Sequence, residues 1–531
     1  MVEQAQTRQA QTLVEAFRGQ VRERGDQPAV LGGDETWSFS RLDRASDAVA
    51  AGLAARGLVV GDRVGLYCLN VPEFVVVYLG VLKAGATVVP INLMLNPRAI
   101  AYMLDDAGAR GFFYHAQFAE PARQVVAAVS SLTCVVSIGE VTDDSATPLQ
   151  QLLDAADAVP SIAAPTVAVD PHDHLAAILY TSGTTGKPKG AMLTHANLWS
   201  NTHSVMQALG FVPGEDRILV VLPMFHAFAA TVGMLTPLLH GLSLVALTRF
   251  EPKLVSAAIE EHGATVFLGV PSMFSLLLRV DDEVVRQWSS VRCCVSGGAA
   301  MPQAVMEAFV ERFAIPVLEG DGPTECSPVT CVNPPAGPHK AGSVGLPLPG
   351  VDMRIVNQEG DPLQDGDHGE VCVRGPNVMR GYWGLEEATR DSFFGQWFRT
   401  GDLGFRDADG YFYLVDRIKD LIITNGMNVY PRIIEECLYR FPAVAEAAVV
   451  GEPHALHGEI PVAYVAVNPD TEFDAIALRN WCKQHLGRHE IPRRVVRVDA
   501  LPRNAAGKVL KRELRREGEL ERGVDHLGDD D

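Results

Sequence analysis

Tyr180–Gly190 reads YTSGTTGKPKG, and its residue types suit a polyanion. Gly183, Gly186 and Gly190 allow a backbone to approach an anion closely, and Thr181, Ser182, Thr184 and Thr185 offer hydroxyl donors to phosphate oxygens. Lys187 and Lys189 add positive charge. The string is not a Walker P-loop, because the glycine spacing differs and no Ser or Thr follows the lysine. Four other strings lie downstream. GDGPTE (320–325) is a glycine-flanked turn ending in a hydroxyl and a carboxylate, oxygen donors that suit Mg2+. TGDLG (400–404) places Asp402 where a carboxylate accepts two ribose hydroxyls, and DRIKDLIITNG (416–426) and PRNAAGK (502–508) follow it. Each alone reads equally well as a turn with a satisfied charge; their order and spacing together point to phosphate chemistry.

The elements that must position these strings alternate. Ser40 and Asp43 form the pattern of a capping box, and Leu42, Ala45, Val49 and Leu53 recur at helical spacing up to Gly57. Strands are expected at Val64–Leu69, Thr87–Ile91 and Gly111–Tyr114, with helices at Glu73–Lys83 and Pro97–Ala107 between and beside them. Residues 175–330 repeat the alternation, with short apolar strands at Ala176–Tyr180, Leu219–Leu222, Ser243–Ala246, Val266–Gly269 and Cys293–Ser296. Such an order implies largely parallel sheets covered by helices. After Pro334 short alternating runs such as Asp352–Val356 and Glu370–Arg374 read as antiparallel and barrel-like. Another change at Asp416–Lys419 opens a small α+β unit, and the acidic tail Gly528–Asp531 is expected to be disordered. The fold class is therefore α/β: a large unit over 1–416 with two doubly wound subdomains and a small β-barrel, then a small α+β unit over 417–531.

The chain has 531 residues, too many for one core, and a net charge of −20 that argues against nucleic acid as a partner. Nine dispersed cysteines without a CxxC pair read as reduced thiols of a cytoplasmic protein. Ile218–Thr248 holds no Asp, Glu, Lys or Arg, which is long enough to span a bilayer. Pro223, Pro237, His226, His240 and Gly241 divide it into strand, helix and strand lengths, so a buried segment and no integral membrane span are expected.

In these motifs, over about Ala10–Leu514, the chain resembles the adenylate-forming (acyl-activating) superfamily. MLTHANL (192–198), LPMFHAF (222–228), SGGAAMP (296–302) and NGMNVYPRIIEE (425–436) are most similar to its fatty-acyl and aryl-CoA ligases. The resemblance implies an acid–thiol ligase of fatty-acid metabolism that uses ATP, Mg2+ and coenzyme A. A carboxylate attacks the α-phosphorus of ATP to give an acyl-adenylate, and the CoA thiol then displaces AMP.

Residue by residue, the match implies an ATP site of Thr181, Ser182, Gly183, Thr184, Thr185, Gly186, Lys189, Gly298, Ala299, Gly320, Asp321, Gly322, Thr324, Asp402, Arg417 and Lys508. Thr181 and Glu325 would serve the metal, Asp402 the ribose with help from Arg417, and Lys508 the developing charge at the α-phosphate. Lys419 matches the hinge of a mobile C-terminal domain, and Arg249, Asn425 and Gly426 match positions that meet CoA, although Arg249 reads equally as a solvated arginine. His226, Phe228, Gly269, Ser296, Gly297, Gly298, Gly320 and Val329 match the walls of an acyl pocket. His226 borders the carboxylate there; without the string LPMFH it would read as a satisfied core residue.

Two positions depart from the family pattern. Ala230 stands where some long-chain members carry a gating tryptophan, and Asp321 stands where an aromatic ring usually stacks on adenine. The expected activity is ligation of a hydrophobic acid, a medium- or long-chain fatty acid first, to CoA. An aryl-CoA ligase, an acyl-AMP ligase loading a carrier protein and a non-catalytic binding relative are the alternatives. A homodimer is left open.

Overall fold

A computed structural model describes residues 11–32, 35–140, 146–158, 167–181, 187–454, 456–468, 471–504 and 507–520. Ser182, Gly183, Thr184, Thr185 and Gly186 lie outside the described residues, as does the tail Gly528–Asp531.

Two large sheets form the body. The first runs, in spatial order, Leu346–Pro347, Cys331–Val332, Val317–Asp321, Cys293–Ser296, Val266–Gly269, Arg217–Val220, Ser243–Ala246, Pro28–Leu31 and Trp37–Ser38. Its six strands from Val317–Asp321 to Pro28–Leu31 are parallel. The second runs Gly381–Tyr382, Lys189–Thr194, Leu175–Thr181, Thr87–Pro90, Arg63–Tyr67, Ala109–His115, Cys134–Ile138 and Thr147–Pro148. The βαβ alternation read from the sequence is thus present, but the two halves exchange strands. Pro28–Leu31 pairs with Ser243–Ala246 in the first sheet, and Leu175–Thr181 pairs with Thr87–Pro90 in the second. Periodicity carries no information about such partners.

Asp352–Val356, Gly369–Arg374, Phe393–Phe394, Trp397–Arg406 and Phe412–Arg417 form the small antiparallel unit, with register shifts beside Glu370 and beside Leu403. A separate sheet of Ile422–Thr424, Met427–Val429, Val444–His454, Gly458–Val467 and Arg494–Val498 carries helices Pro431–Tyr439 and Ala475–His485. Its apolar face, with Val449, Val465, Ile434 and Leu478 buried, makes a core distinct from that of the large unit.

One local expectation needs correction, and the strand, helix and strand division of Ile218–Thr248 holds. The helix Phe39–Ala55 is capped by Ser38, whose Oγ accepts from Arg41 N at 3.2 Å. Ser40 sits one residue inside the helix, because its amide is already taken by Gly25 O at 2.8 Å. The apolar segment after His226 is a π-helix, Ala229–Leu235, running into a short α-helix Thr236–His240, every residue of both being buried. No helix among the described residues is long and apolar enough to cross a membrane. All nine cysteines are free and buried.

Candidate active site

The chemistry-bearing residues collect where the parallel strands of the first sheet end, the usual place for ligands in open α/β sheets. Val317–Asp321 delivers Asp321 and the turn behind it. At Gly322 a Cβ would stand 1.9 Å from Pro328 O, so only glycine fits that backbone approach. Cys293–Ser296 ends in the loop Gly297–Met301, whose Met301 amide donates to Glu319 Oε1 at 3.0 Å. Asn70, on the neighbouring strand-to-helix turn, fixes the segment bearing His226: its Nδ2 donates to Leu222 O at 2.9 Å and its Oδ1 accepts from Met224 N at 2.8 Å.

On the phosphate side, Thr181 Oγ1 lies 3.3 Å from Glu325 Oε1. Tyr382, which sequence reasoning missed, donates its hydroxyl to the same oxygen at 2.9 Å, and Lys189 Nζ stands 5.2 Å above the Tyr382 ring. Burial and the Glu325 charge push the Tyr382 hydroxyl pKa up, so it stays a donor. Hydroxyl and carboxylate oxygens side by side are hard donors that fit a magnesium ion completed by substrate phosphates. No group of three or more His, Cys, Asp or Glu that could hold a metal occurs among the described residues.

On the sugar side, Asp402 and Arg417 are cross-strand partners, with Arg417 Nε 2.7 Å from Asp402 Oδ1. Arg417 also donates to Thr400 O at 3.0 Å, and Thr400 Oγ1 accepts from Asp402 N at 3.1 Å. Asp402 is 7% exposed. Its pKa is raised to about 6: burial outweighs the attraction of Arg417, and the Asp321 charge adds to the rise. Burial likewise raises Asp321, against the pull of Arg417 and Lys508.

Lys508 reaches this group from beside the bridge between Arg503 and Val509. Gly507, at φ +79°, packs against Val270, where a Cβ would meet the Val270 side chain at 2.8 Å. Lys508 keeps solvent-exposed surface, yet desolvation by the protein packed around it lowers its pKa first, and repulsion from Arg417 and Lys419 adds to this against the attraction of Asp402 and Asp321. Burial, helped by Lys508, takes His226 down to about 4, which keeps its imidazole neutral at ordinary pH.

Behind His226 lies a cavity open to solvent, walled by Phe228, Ser296, Gly297, Gly298, Gly320 and Val329 as the sequence suggested. Its far wall comes from Val205 and Leu209 of the helix His195–Leu209, Val232 of the π-helix, and Val332. Sequence reasoning missed these four; helical spacing from the Thr194 cap gave a signal for the first two, but none for the direction they face. The same helix holds Val329 in place, through Asn201 Nδ2 to Val329 O at 2.7 Å. Among the lining residues Asp321 alone is charged, and none is Lys or Arg.

Some expected members are elsewhere. Gly269 does not line the cavity; it is packed in the core, where a Cβ would meet Phe267 at 2.7 Å and Phe274 at 2.9 Å. Ala299, beyond the lining, is half-buried in the loop after Gly298. Arg249 is exposed and pairs with Glu251 at 3.4 Å. Asn425 and Gly426, at φ 52° and 77°, form the exposed tip of the hairpin Ile422–Val429, away from the cavity. Lys419 is exposed in the short turn Ile418–Asp420 between the two units.

Comparison with known proteins identifies the family. Residues 17–383 match the AMP-binding enzyme family and residues 433–508 the AMP-binding enzyme C-terminal domain. A feruloyl-CoA synthase of Amycolatopsis sp. is 35% identical over 92% of this chain and 95% of its own. A long-chain-fatty-acid–CoA ligase of Escherichia coli O157:H7 is 33% identical over 96% of this chain and 94% of its own. The crystal structure of the anthranilate CoA ligase AuaEII with anthranoyl-AMP superposes with a TM-score of 0.89 at 26% identity, over 97% of this chain and 98% of that one. The chain belongs to the AMP-binding, adenylate-forming enzyme family, in its acyl-CoA synthetase branch, and is an AMP-forming acid–thiol ligase.

Proposed function

We propose that the protein joins a hydrophobic monocarboxylic acid, a medium- or long-chain fatty acid in the first instance, to coenzyme A. The observation that carries this reading is the cavity wall. Phe228, Leu209, Val232 and Val332 are in it, and no Lys or Arg is among the described residues that line it to receive a second anionic group.

In the first half-reaction a carboxylate oxygen bonds to the α-phosphorus of ATP while the bond to the β-phosphate oxygen breaks and pyrophosphate leaves. The difficulty is electrostatic, since two anions must meet. Lys508 supplies the compact cation at that point, with Asp402 accepting the ribose hydroxyls and Arg417 holding Asp402 in register. Neutral His226 borders the carboxylate. Thr181 and Glu325, with Tyr382 fixing the latter, would hold Mg2+, which neutralises phosphate charge when bound. Ser182, Gly183, Thr184, Thr185 and Gly186 would bind the phosphates together with Lys189, and Gly298, Ala299, Gly320, Gly322 and Thr324 border the nucleotide.

In the second half-reaction the CoA sulfur bonds to the acyl carbon and AMP leaves. The unit 417–531 swings about Lys419, withdrawing Lys508 and bringing the Asn425–Gly426 tip to the pantetheine, while Arg249 meets the nucleotide end of CoA.

Incubation with ATP, decanoate and free CoA should give decanoyl-CoA and AMP. An adenylate that passes only to a carrier protein would make the protein an acyl-AMP ligase instead. An aryl acid is the second reading. A Cβ at Gly297 would stand 3.3 Å from the Phe228 ring, so an aromatic side chain meets bare backbone at the wall, a place where a planar ring could pack. Ferulate and benzoate in the same assay decide between the two, and silence with every acid would leave a binding protein.

A further inference from the structure

Glu319 has no part in the chemistry above, yet it is the most deeply buried carboxylate beside the site, 2% exposed on the strand that ends at Asp321. Its Oε1 accepts from Met301 N at 3.0 Å, and its Oε2 has no partner. Burial pushes the Glu319 carboxyl up to about 7 against the pull of Arg432, so it is ionised above that pH and costly to keep charged unless a cation faces it. Among the described residues the one cation within 4.0 Å of the carboxylate is Arg432, whose guanidinium is 3.9 Å from Oε1, and Arg432 belongs to the other unit, at the start of the helix Pro431–Tyr439. The same helix docks twice more: Gln303 N donates to Glu436 Oε2 at 3.3 Å, and Arg440 donates to Gln303 Oε1 at 3.2 Å. Arg432 is itself anchored near the hinge, donating to Leu414 O at 2.5 Å and from its amide to Asp416 Oδ2 at 3.1 Å.

The carboxylate therefore sits in the large unit while its counter-ion arrives with the small one. Glu319 also grips the loop carrying Gly297 and Gly298 through Met301, so the seam and the cavity wall share one residue. We propose that Glu319 is a positioning residue for adenylation: its buried charge recruits Arg432 and holds the small unit in the arrangement that places Lys508 at the reacting groups. When the small unit leaves, Glu319 loses its cation, so the adenylating arrangement is favoured in the free enzyme. This rests on the reading that the unit 417–531 swings between half-reactions.

Glu319→Gln keeps the acceptor for Met301 N and removes the charge; Arg432→Gln removes the cation. Each should slow decanoate-dependent pyrophosphate exchange about tenfold while leaving thioester formation from preformed decanoyl-adenylate equal or faster. The double variant should be no worse than the poorer single one, and Arg432→Lys should recover part of the loss. A substrate-free readout is a dye pair at Glu283→Cys and Gln484→Cys, both exposed, in a chain whose own cysteines are buried. Either Gln variant should shift the dye-pair distance distribution away from that of the unsubstituted pair. Equal loss in both half-reactions, additive losses in the double variant, or an unchanged distribution overturns the latch. Arg432→Gln carries the test alone if Glu319→Gln does not fold. Lys508→Ala separates the two claims. If it splits the half-reactions and Glu319→Gln does not, only the latch fails; if it impairs both equally, the swing fails and the latch with it.

Discussion

Tyr382→Phe isolates one hydrogen bond. The hydroxyl donates to Glu325 Oε1 at 2.9 Å, and Thr181 Oγ1 approaches the same oxygen at 3.3 Å. Phenylalanine preserves the ring beneath Lys189 and the backbone pairing of residue 382 with Ala191. What is lost is a bond to a charged acceptor in a half-buried site, worth about 1.5–3 kcal/mol. At about 1.4 kcal/mol per factor of ten, that is a fall of roughly 10- to 150-fold in adenylation. Glu325 is freed to turn away from Thr181, so the magnesium concentration needed for half-maximal exchange should rise as well. Thioester formation from preformed acyl-adenylate needs neither pyrophosphate nor its metal and should change less than about threefold. The assay is pyrophosphate exchange across a magnesium titration, beside single-turnover transfer to CoA. An exchange rate within threefold of the unsubstituted enzyme, or equal losses in the two half-reactions, would refute the role given to this contact.

Lys508→Ala should cut adenylation by about 10²–10³ while transfer from preformed acyl-adenylate remains largely intact, as measured by the same two assays. The Asp402 carboxyl, raised to about 6, protonates as pH falls below that value, so the KM for ATP should rise about tenfold per pH unit below 6. The sign for stability is opposite: from about 6 down to its unfolded value of about 4 the native state binds more protons, so this group adds stability as affinity is lost. Asp402→Asn should bind ATP weakly with a flat pH profile. Asp321→Tyr should tighten ATP binding by restoring a ring to the base side and removing a negative charge; calorimetric titration showing weaker binding would mean that Asp321 makes a specific contact.

The strands Ser243–Ala246, Val266–Gly269 and Cys293–Ser296 were legible to the residue, because short apolar runs between glycine and polar turns have few other readings. The Ser38 cap was not, since Ser40 and Asp43 offer the same pattern and only the Gly25 contact decides between them. The exchange of strands between the two sheets leaves no trace in periodicity. For the site, the glycine-rich and acidic strings were visible because phosphate chemistry restricts residue type strongly. Tyr382, Val205 and Leu209 were invisible for the converse reason: a tyrosine in a GYW run and valine or leucine on a helix fit many environments. Gly269 was misplaced because a glycine at a strand end fits a pocket wall and a gap between two phenylalanine rings equally well.

The wall of the cavity is where the account is most exposed. Acyl-CoA formation measured as kcat/KM over octanoate, decanoate, palmitate, benzoate, ferulate, succinate and sulfoacetate tests it directly. The account predicts that the apolar monocarboxylates lead, with the fatty acids first and the two dianions at least a hundredfold behind. A dianion as the best substrate would contradict it, because no Lys or Arg is among the described residues that line the space in which its second charge would sit.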